Sequence, residues 1–132
     1  MKNIFTVLIV MVAMAFTSCS SNAQTNSGTA NVSAEEFKAL IDKNDSVQIV
    51  DVRTADEWQT GIIPNALKND WFGANFVEGL KTLDKEAPVL VYCAAGGRSS
   101  KAMQKLSALG FKKVYNLSGG MGAWKSKGYA VE

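Results

Sequence analysis

The sequence contains no histidine and only two cysteines, Cys19 and Cys93, among its 132 residues. The absence of histidine excludes Ser-His and Cys-His catalytic pairs and any metal site built on imidazole. Disulfide frameworks of exported domains use paired cysteines. Because Cys19 lies outside the predicted folded part, Cys93 remains there as a single thiol that calls for a chemical explanation.

An excess of charge of one sign is also missing. The chain carries 14 basic and 12 acidic side chains, a net charge of +2. It shows neither a basic stripe nor an acidic tail, so it lacks the electrostatic footprint of a nucleic-acid-binding protein. We therefore expect no nucleic-acid partner.

The first eighteen residues have the layout of an export signal. Lys2 supplies a positive start, and residues 4–16 are apolar except for Thr6. Small residues follow, as in a signal peptide. The apolar run is shorter than the roughly 20 residues needed to span a bilayer. The sequence therefore predicts export, with residues 1–18 as the signal.

Two cleavage sites are compatible with this signal. Phe16-Thr17-Ser18-Cys19 resembles a bacterial lipoprotein signal, although Phe16 replaces the usual leucine. That resemblance implies that Cys19 is lipidated and becomes the first mature residue, so that a lipid anchor is the only contact with the membrane, on its periplasmic side. The alternative is cleavage after Ala23, at a small-x-small site, which would give a soluble periplasmic protein.

The rest of the chain predicts one tethered domain. Residues 20–31 are only Ser, Asn, Thr, Gln, Gly and Ala. This composition has nothing to bury, so we expect residues 19–31 to form a flexible tether. Residues 32–132 are then one domain, and about 100 residues can hold one real core.

Helical and strand periodicities alternate through this domain. Ser33-Ala34-Glu35-Glu36 has the spacing of a capping box, with Ser33 as N-cap. Alternation with continuous apolar strands predicts an α/β fold, a parallel sheet with helices on both faces. Helices are predicted over 34–43, from 54 to 61, over 76–83, from 99 to 109 and around 121–124, and strands over 47–52, 66–67, 88–92 and 114–117.

Cys93 directly follows the apolar strand 88–92 and precedes a helix. In open α/β sheets, ligands bind at this carboxyl end of the strands. The small residues after Cys93 can curl so that their N–H groups form an anion-binding nest. A helix N-terminus at Ser99-Ser100 and the charge of Arg98 would add positive potential.

Each of these features favours the thiolate, which is the reactive form of cysteine. We therefore predict that Cys93 is a nucleophile that needs no general base. The residues predicted to bind an anionic substrate are Ala94, Ala95, Gly96, Gly97, Arg98 and Ser99.

The spacing of this loop bears on its substrate. Four residues separate Cys93 from Arg98, whereas five intervene in the protein tyrosine phosphatases, whose loop surrounds a tetrahedral phosphate. The shorter loop encloses a smaller space, which favours a sulfur atom over a phosphoryl group as the group that it binds. An arsenate reductase or phosphatase remains the weaker enzymatic alternative.

Several motifs together resemble the single-domain rhodaneses, or thiosulfate sulfurtransferases, over about 32–124. Asp51-Val52-Arg53, Glu57-Trp58 and residues 61–66 resemble the family's Asp-x-Arg, Glu-aromatic and Gly-His-Ile-Pro-Gly-Ala motifs. Residues 91–99 resemble its active loop, and residues 110–111 and 117–124 resemble its C-terminal signature.

The resemblance implies a rhodanese-like fold with a central five-stranded parallel sheet. It also implies a ping-pong sulfurtransferase without a cofactor or metal. Cys93 would take sulfane sulfur from a small anionic donor, thiosulfate or a persulfide, and pass it to cyanide or a thiol. A protein persulfide is another credible donor. The alternative is a persulfide carrier or redox partner that does not catalyse turnover by itself.

Three positions depart from the family pattern. Ala94 stands where many members carry a charged residue, which leaves Arg98 as the loop's one cation and disfavours efficient use of thiosulfate. Ile62 replaces a frequent histidine and Asn65 a glycine. We interpret the segment around these two residues as structural.

A second group of polar residues precedes the loop in the sequence. Asp51, Arg53 and Glu57 are expected to support the site as an ion-pair cluster that holds a strand end to a short helix. Trp71 and Phe72 are expected to be packed loop residues, with the rim of an apolar pocket as the alternative.

Overall fold

The computed structural model describes residues 28–132. The predicted signal, the lipidation candidate Cys19 and most of the predicted tether lie outside these residues. The described chain forms a five-stranded sheet in the order β1-β5-β4-β2-β3, and every neighbouring pair is parallel. The strands are β1 (Thr29–Val32), β2 (Gln48–Asp51), β3 (Leu67–Lys68), β4 (Val89–Tyr92) and β5 (Val114–Leu117).

Helices cover both faces of the sheet, as predicted. Phe76, Ala102 and Leu106 belong to the core on one face, and Phe37 and Trp124 to the core on the other. All four residues of β4 are buried because this strand lies between the two cores. The helices are α1 (Ala34–Lys43), α2 (Ala55–Trp58), α3 (Phe76–Leu80), α4 (Gly97–Ala108) and α5 (Gly120–Ser126).

The capping box predicted at the start of α1 is confirmed. The Ser33 Oγ accepts a hydrogen bond from the Glu36 N–H at 3.2 Å, and the Glu36 carboxylate accepts one from the Ser33 N–H at 2.8 Å. Gly110 follows α4 with φ +93°, the left-handed conformation predicted for the residue after that helix.

Several boundaries differ from the sequence prediction. Among the shortest elements, α2 ends at Trp58 rather than 61, and β3 spans Leu67–Lys68 rather than 66–67. The fold begins at Thr29 rather than residue 32, because backbone pairing with β5 holds a short strand of mostly small and polar residues. Helix α3 ends at Leu80 rather than 83, where tighter turns bond Thr82 to Gly79 and Leu83 to Leu80. Helix α4 begins at Gly97 rather than Ser99, so Arg98 belongs to its first turn.

Within residues 28–132, no helix combines the length and apolarity of a membrane span.

Candidate active site

Cys93 lies at the carboxyl end of β4, in the middle of the sheet, and only 1% of it is exposed. The segment that follows it is held by the start of α5. The Met121 N–H donates to the Cys93 carbonyl at 2.9 Å, and the Gly122 N–H donates to the Ala94 carbonyl at 3.3 Å. Hydrogen bonds accepted by its carbonyl groups therefore hold the loop in place. Its N–H groups are left free to donate to the sulfur.

Gly120 makes this contact between α5 and the loop possible. A Cβ atom at this position would collide with the carbonyl groups of Cys93 and Ala94, and its φ is +55°. Only glycine fits such a close backbone approach without displacement of the loop.

Two hydrogen-bond donors converge on the sulfur. The Gly96 N–H lies 3.1 Å from the Cys93 Sγ, and the Ser99 hydroxyl lies 3.2 Å from it. Gly96 has φ +106°, which curls the loop back toward Cys93 as it enters α4. A backbone N–H and a hydroxyl group thus face the sulfur, while the binding of an anionic substrate by the loop stays a prediction.

The balance of these effects favours the thiolate. Burial by itself would raise the pKa of the Cys93 thiol. Hydrogen bonds from the Ser99 hydroxyl and from the backbone N–H groups of Ser99, Ala95 and Gly96 outweigh burial and lower that pKa below its ordinary value. The site can therefore hold a charged sulfur nucleophile without a neighbouring base.

Arg98 is arranged differently from the sequence prediction. It was expected to present a free cation to the substrate, but its guanidinium group forms an ion pair with Glu57 at 2.7 and 2.9 Å. Hydrogen bonds from Arg98 lower the pKa of Glu57 to about 2. Arg98 still lies close enough to the Cys93 thiolate for the two charges to attract each other.

Asp51 and Arg53 form a buried ion pair beneath the site. The Arg53 guanidinium donates to the Asp51 carboxylate at 2.7 to 3.1 Å, and both side chains are almost fully buried. It also donates to the carbonyl groups of Glu57 and Gly61 at 3.2 and 2.7 Å. The predicted role in joining a strand end to α2 fits Asp51 and Arg53, whereas the Glu57 side chain reaches the active loop instead.

The predicted substrate-binding residues differ in their exposure and fall into three groups. Ala94, Ala95 and Gly97 are exposed beside the sulfur, where a substrate can approach. Ser99 is fully buried, so it acts on Cys93 rather than as an open part of the binding surface. Gly96 and Arg98 are partly exposed between these groups.

The segment that departs from the family pattern has a structural explanation. Asn65 has φ +67°, a left-handed conformation that glycine and asparagine adopt most readily. Ile62 is 8% exposed, and the Ile63 N–H donates to the buried Tyr92 hydroxyl at 2.9 Å. These contacts agree with the interpretation of the segment as structural.

The two loop aromatics behave differently from each other. Trp71 packs edge-on against Phe76, with the ring centroids 4.9 Å apart, as expected of a packed loop residue. Phe72 is 70% exposed and belongs to no core cluster among the described residues.

Asn116 was missed by sequence reasoning. It is buried on β5, and its Nδ2 donates to the Asn31 Oδ1 at 2.9 Å and, over 3.4 Å, to the Gly96 carbonyl. It thus ties the active loop to β1. The available signal was a polar amide within an otherwise apolar strand, since buried polar groups are normally hydrogen-bonded.

Residues 28–132 contain no group of three or more Cys, Asp or Glu side chains placed to hold a metal ion.

The chain is similar to known proteins over nearly all of this fold. A family model, described as the Rhodanese-like domain, matches residues 33–127. The thiosulfate sulfurtransferase GlpE of Coxiella burnetii is 42% identical over 95 residues, which cover 72% of this chain and 86% of the relative. A sulfurtransferase of Allochromatium vinosum is 30% identical over 100 residues, which cover 76% of this chain and 92% of the relative.

Solved structures show the same likeness. The crystal structure of a rhodanese-like domain protein from Staphylococcus aureus superposes with a TM-score of 0.66 at 33% identity, covering 77% of this chain and 97% of that protein. A rhodanese-related protein from Thermoplasma volcanium gives a TM-score of 0.67 at 29% identity, covering 77% and 96%.

Proposed function

The chain belongs to the rhodanese-like domain family, and from that premise we propose that it is a sulfurtransferase that carries sulfane sulfur on Cys93. The observation that carries the proposal is the convergence of the Gly96 N–H and the Ser99 hydroxyl on the sulfur of Cys93. This thiol lies at the end of a central strand, where ligands of α/β folds bind.

The proposed reaction has two balanced steps. The Cys93 thiolate attacks the outer sulfur of a donor, the donor's S–S bond breaks, and the leaving group departs with the bonding electron pair. This leaves the persulfide Cys93-S-S⁻. A nucleophilic acceptor such as cyanide or a thiolate then attacks the outer sulfur and releases the Cys93 thiolate.

The hydrogen-bond donors of the loop suit both charged states of this cycle. They stabilise a negative charge on Cys93 before transfer, and after transfer the outer sulfur of the persulfide carries that charge beside the same loop. The charge of the persulfide stays within the same nest, so no proton has to be moved during the transfer. The absence of histidine is therefore compatible with the proposed cycle.

A steady-state assay separates an enzyme from a carrier. Purified protein is supplied with thiosulfate or glutathione persulfide as donor and cyanide as acceptor, and thiocyanate is measured over time. We expect repeated turnover that Cys93→Ser abolishes. Loading of one sulfur without turnover would instead identify a carrier, and Cys93-dependent turnover of arsenate or a phosphate ester would favour the reductase or phosphatase alternative.

We also propose that the protein is exported and anchored by a lipid on Cys19, on the periplasmic side of a bacterial membrane. The support is the signal-like segment 1–18 followed by Cys19. Mass spectrometry of the mature N-terminus tests this proposal. A lipidated Cys19 is the expected result, and a chain that starts at Gln24 would contradict it.

A further inference from the structure

The only cation within the active loop is already paired. Arg98 Nη1 lies 2.7 Å from Glu57 Oε1, and Nη2 lies 2.9 Å from Oε2. Two parallel hydrogen bonds of this kind form a bidentate pair, the strongest arrangement of these two groups. The side chains are 23% and 31% exposed, so the pair lies at the mouth of the site and not in the core.

Glu57 is itself held in place. Its Oε1 accepts hydrogen bonds from the Thr54 hydroxyl at 3.1 Å and from the Thr54 N–H at 3.4 Å. Its carbonyl group accepts a hydrogen bond from the buried Arg53. Since its backbone and its carboxylate are both anchored, a donor that needs Arg98 must compete with a fixed carboxylate.

This pair determines the charge that a donor meets. The Cys93 thiolate and Glu57 are negative, Arg98 is positive, and Ala94 adds no charge. The Lys68 ammonium lies over the Trp58 ring, 5.9 Å from its centroid, and among the described residues no ion pair joins it to the loop. The thiolate and the Glu57–Arg98 pair therefore carry one net negative charge, while the loop offers neutral N–H groups to a single charged sulfur.

We propose that Glu57 is a specificity-determining residue which, by occupying Arg98, makes the site select singly charged sulfane-sulfur donors over dianionic thiosulfate. The favoured class contains organic persulfides, R-S-S⁻, and thiosulfonates, R-SO₂-S⁻. This inference rests on the proposed function, because it concerns the donor that loads Cys93.

The step is the same for every donor, and only the leaving group differs. The Cys93 thiolate bonds to the outer sulfur while the donor's sulfur–sulfur bond breaks. A persulfide leaves as a thiolate and a thiosulfonate as a sulfinate, each with one negative charge. Thiosulfate leaves as sulfite with two, so a carboxylate at the mouth such as Glu57 repels this donor and its leaving group more strongly.

A matched pair of donors isolates the effect of charge. Thiosulfate and methanethiosulfonate both transfer a sulfur bound to a sulfonyl group, but they carry two charges and one. The second-order rate of Cys93 loading is measured by intact mass with each donor. The proteins are wild type, Glu57→Gln and the control Glu86→Gln, whose carboxylate pairs with Lys112 in an exposed ion pair.

We expect wild type to load faster from methanethiosulfonate. Glu57→Gln should accelerate loading from thiosulfate about tenfold, within the range of effects of local charge on association. Because Coulomb energy is proportional to charge, the monoanion should gain only about threefold. Glu86→Gln should change neither rate, and Glu57→Gln/Arg98→Gln should lose the gain, since the freed cation supplies it.

Glutamine preserves the spacing that begins α2, because capping boxes accept Glu or Gln at this position.

The wild-type protein also provides a test without any substitution. Salt should accelerate loading from thiosulfate if the dianion meets a net negative mouth, because ions screen the repulsion. Salt should slow that loading if Arg98 is available to the donor.

The outcomes separate this inference from the proposed function. If no donor loads wild-type Cys93, both fail. If donors load wild type but thiosulfate is the better donor, or Glu57→Gln leaves the thiosulfate rate unchanged or lowers it, sulfur transfer stands and the role of Glu57 is overturned. Slowing by salt in the wild type would overturn that role in the same way.

Discussion

At the scale of single residues, the Cys93 sulfur is activated by hydrogen-bond donors and not by a base. Gly96 supplies a backbone N–H and Ser99 a hydroxyl, both within 3.2 Å of the sulfur. The Ser99 group is fully buried, so water cannot replace it easily. A hydrogen bond to a charged partner in such a setting contributes more than one between neutral groups.

Replacement of Ser99 by alanine tests this contribution. Ser99→Ala removes the hydroxyl that lowers the pKa of Cys93, so the thiolate should form at higher pH. We expect about tenfold slower alkylation by iodoacetamide near neutral pH, the effect of losing one charge-assisted hydrogen bond. The measurement is the alkylation rate as a function of pH.

Ser100→Ala is the matched control for this prediction. Ser100 is the next residue in the same helical turn, and its hydroxyl is not among the groups bonded to the sulfur in the described part of the chain. Its pH profile should coincide with that of wild type. An unshifted profile for Ser99→Ala would show that the buried hydroxyl has no part in activation.

At the scale of elements, two helix starts position the loop. Helix α4 begins inside the predicted loop, which brings Ser99 under the sulfur, and the start of α5 binds the carbonyl groups of Cys93 and Ala94. The close contact at Gly120 connects these elements. Changes in α5 should therefore affect a thiol that lies far from it in the sequence.

Gly120→Ala should lower the free energy of unfolding by about 3 kcal/mol, since left-handed strain adds to overpacking against the loop. It should also change the alkylation rate of folded Cys93. Gly128→Ala is the control, because Gly128 is left-handed at φ +71° but has open space around it. That variant should lose only about 1 kcal/mol.

Urea denaturation measures the difference between these two variants. Equal losses would indicate that only backbone conformation matters at Gly120. A much larger loss for Gly120→Ala, together with altered Cys93 reactivity, would confirm the coupling between α5 and the loop.

The elements were largely predictable, and the reasons lie in particular residues. The apolar runs of β2 and β4, the capping box at Ser33 and Gly110 after α4 are local signals, and all four were confirmed. Strand β1 was missed because Thr29–Val32 is held mainly by pairing with β5, which no local pattern encodes.

The site was predicted in part for the same reason. The position of Cys93 follows from its place between a strand and a helix. The pairing of Arg98 with Glu57 joins residues 41 positions apart in the chain, and Asn116 approaches Gly96 from another strand. Such contacts depend on the tertiary fold, so spacing alone could not predict them.

At the scale of the whole molecule, the Glu57–Arg98 pair links α2 to α4, and thus contributes to stability as well as to the site. The pKa of Glu57 is about 2 in the folded protein, below its ordinary value of 4.5. The pair therefore stabilises the fold above pH 4.5. That contribution is lost as the pH falls from about 4.5 through about 2.

Acid unfolding should reveal this contribution. We expect wild-type stability to fall more steeply between pH 4.5 and 2 than that of Glu57→Gln, which has no carboxylate to protonate. Glu86→Gln should retain the wild-type slope, because its ion pair with Lys112 is exposed and such pairs contribute little. If the free energy of unfolding falls equally steeply with decreasing pH in wild type and in Glu57→Gln, this assignment is contradicted.

The central claim is that Cys93 is a sulfur-carrying nucleophile, and the most direct test is the intact mass of the protein after exposure to donors. Wild type incubated with methanethiosulfonate, glutathione persulfide or thiosulfate should gain about 32 Da, one sulfur atom on a thiol. The gain should map to Cys93, and cyanide should remove it. Cys93→Ser should gain nothing. Absence of the gain in wild type with every donor, or an equal gain in Cys93→Ser, would contradict the claim.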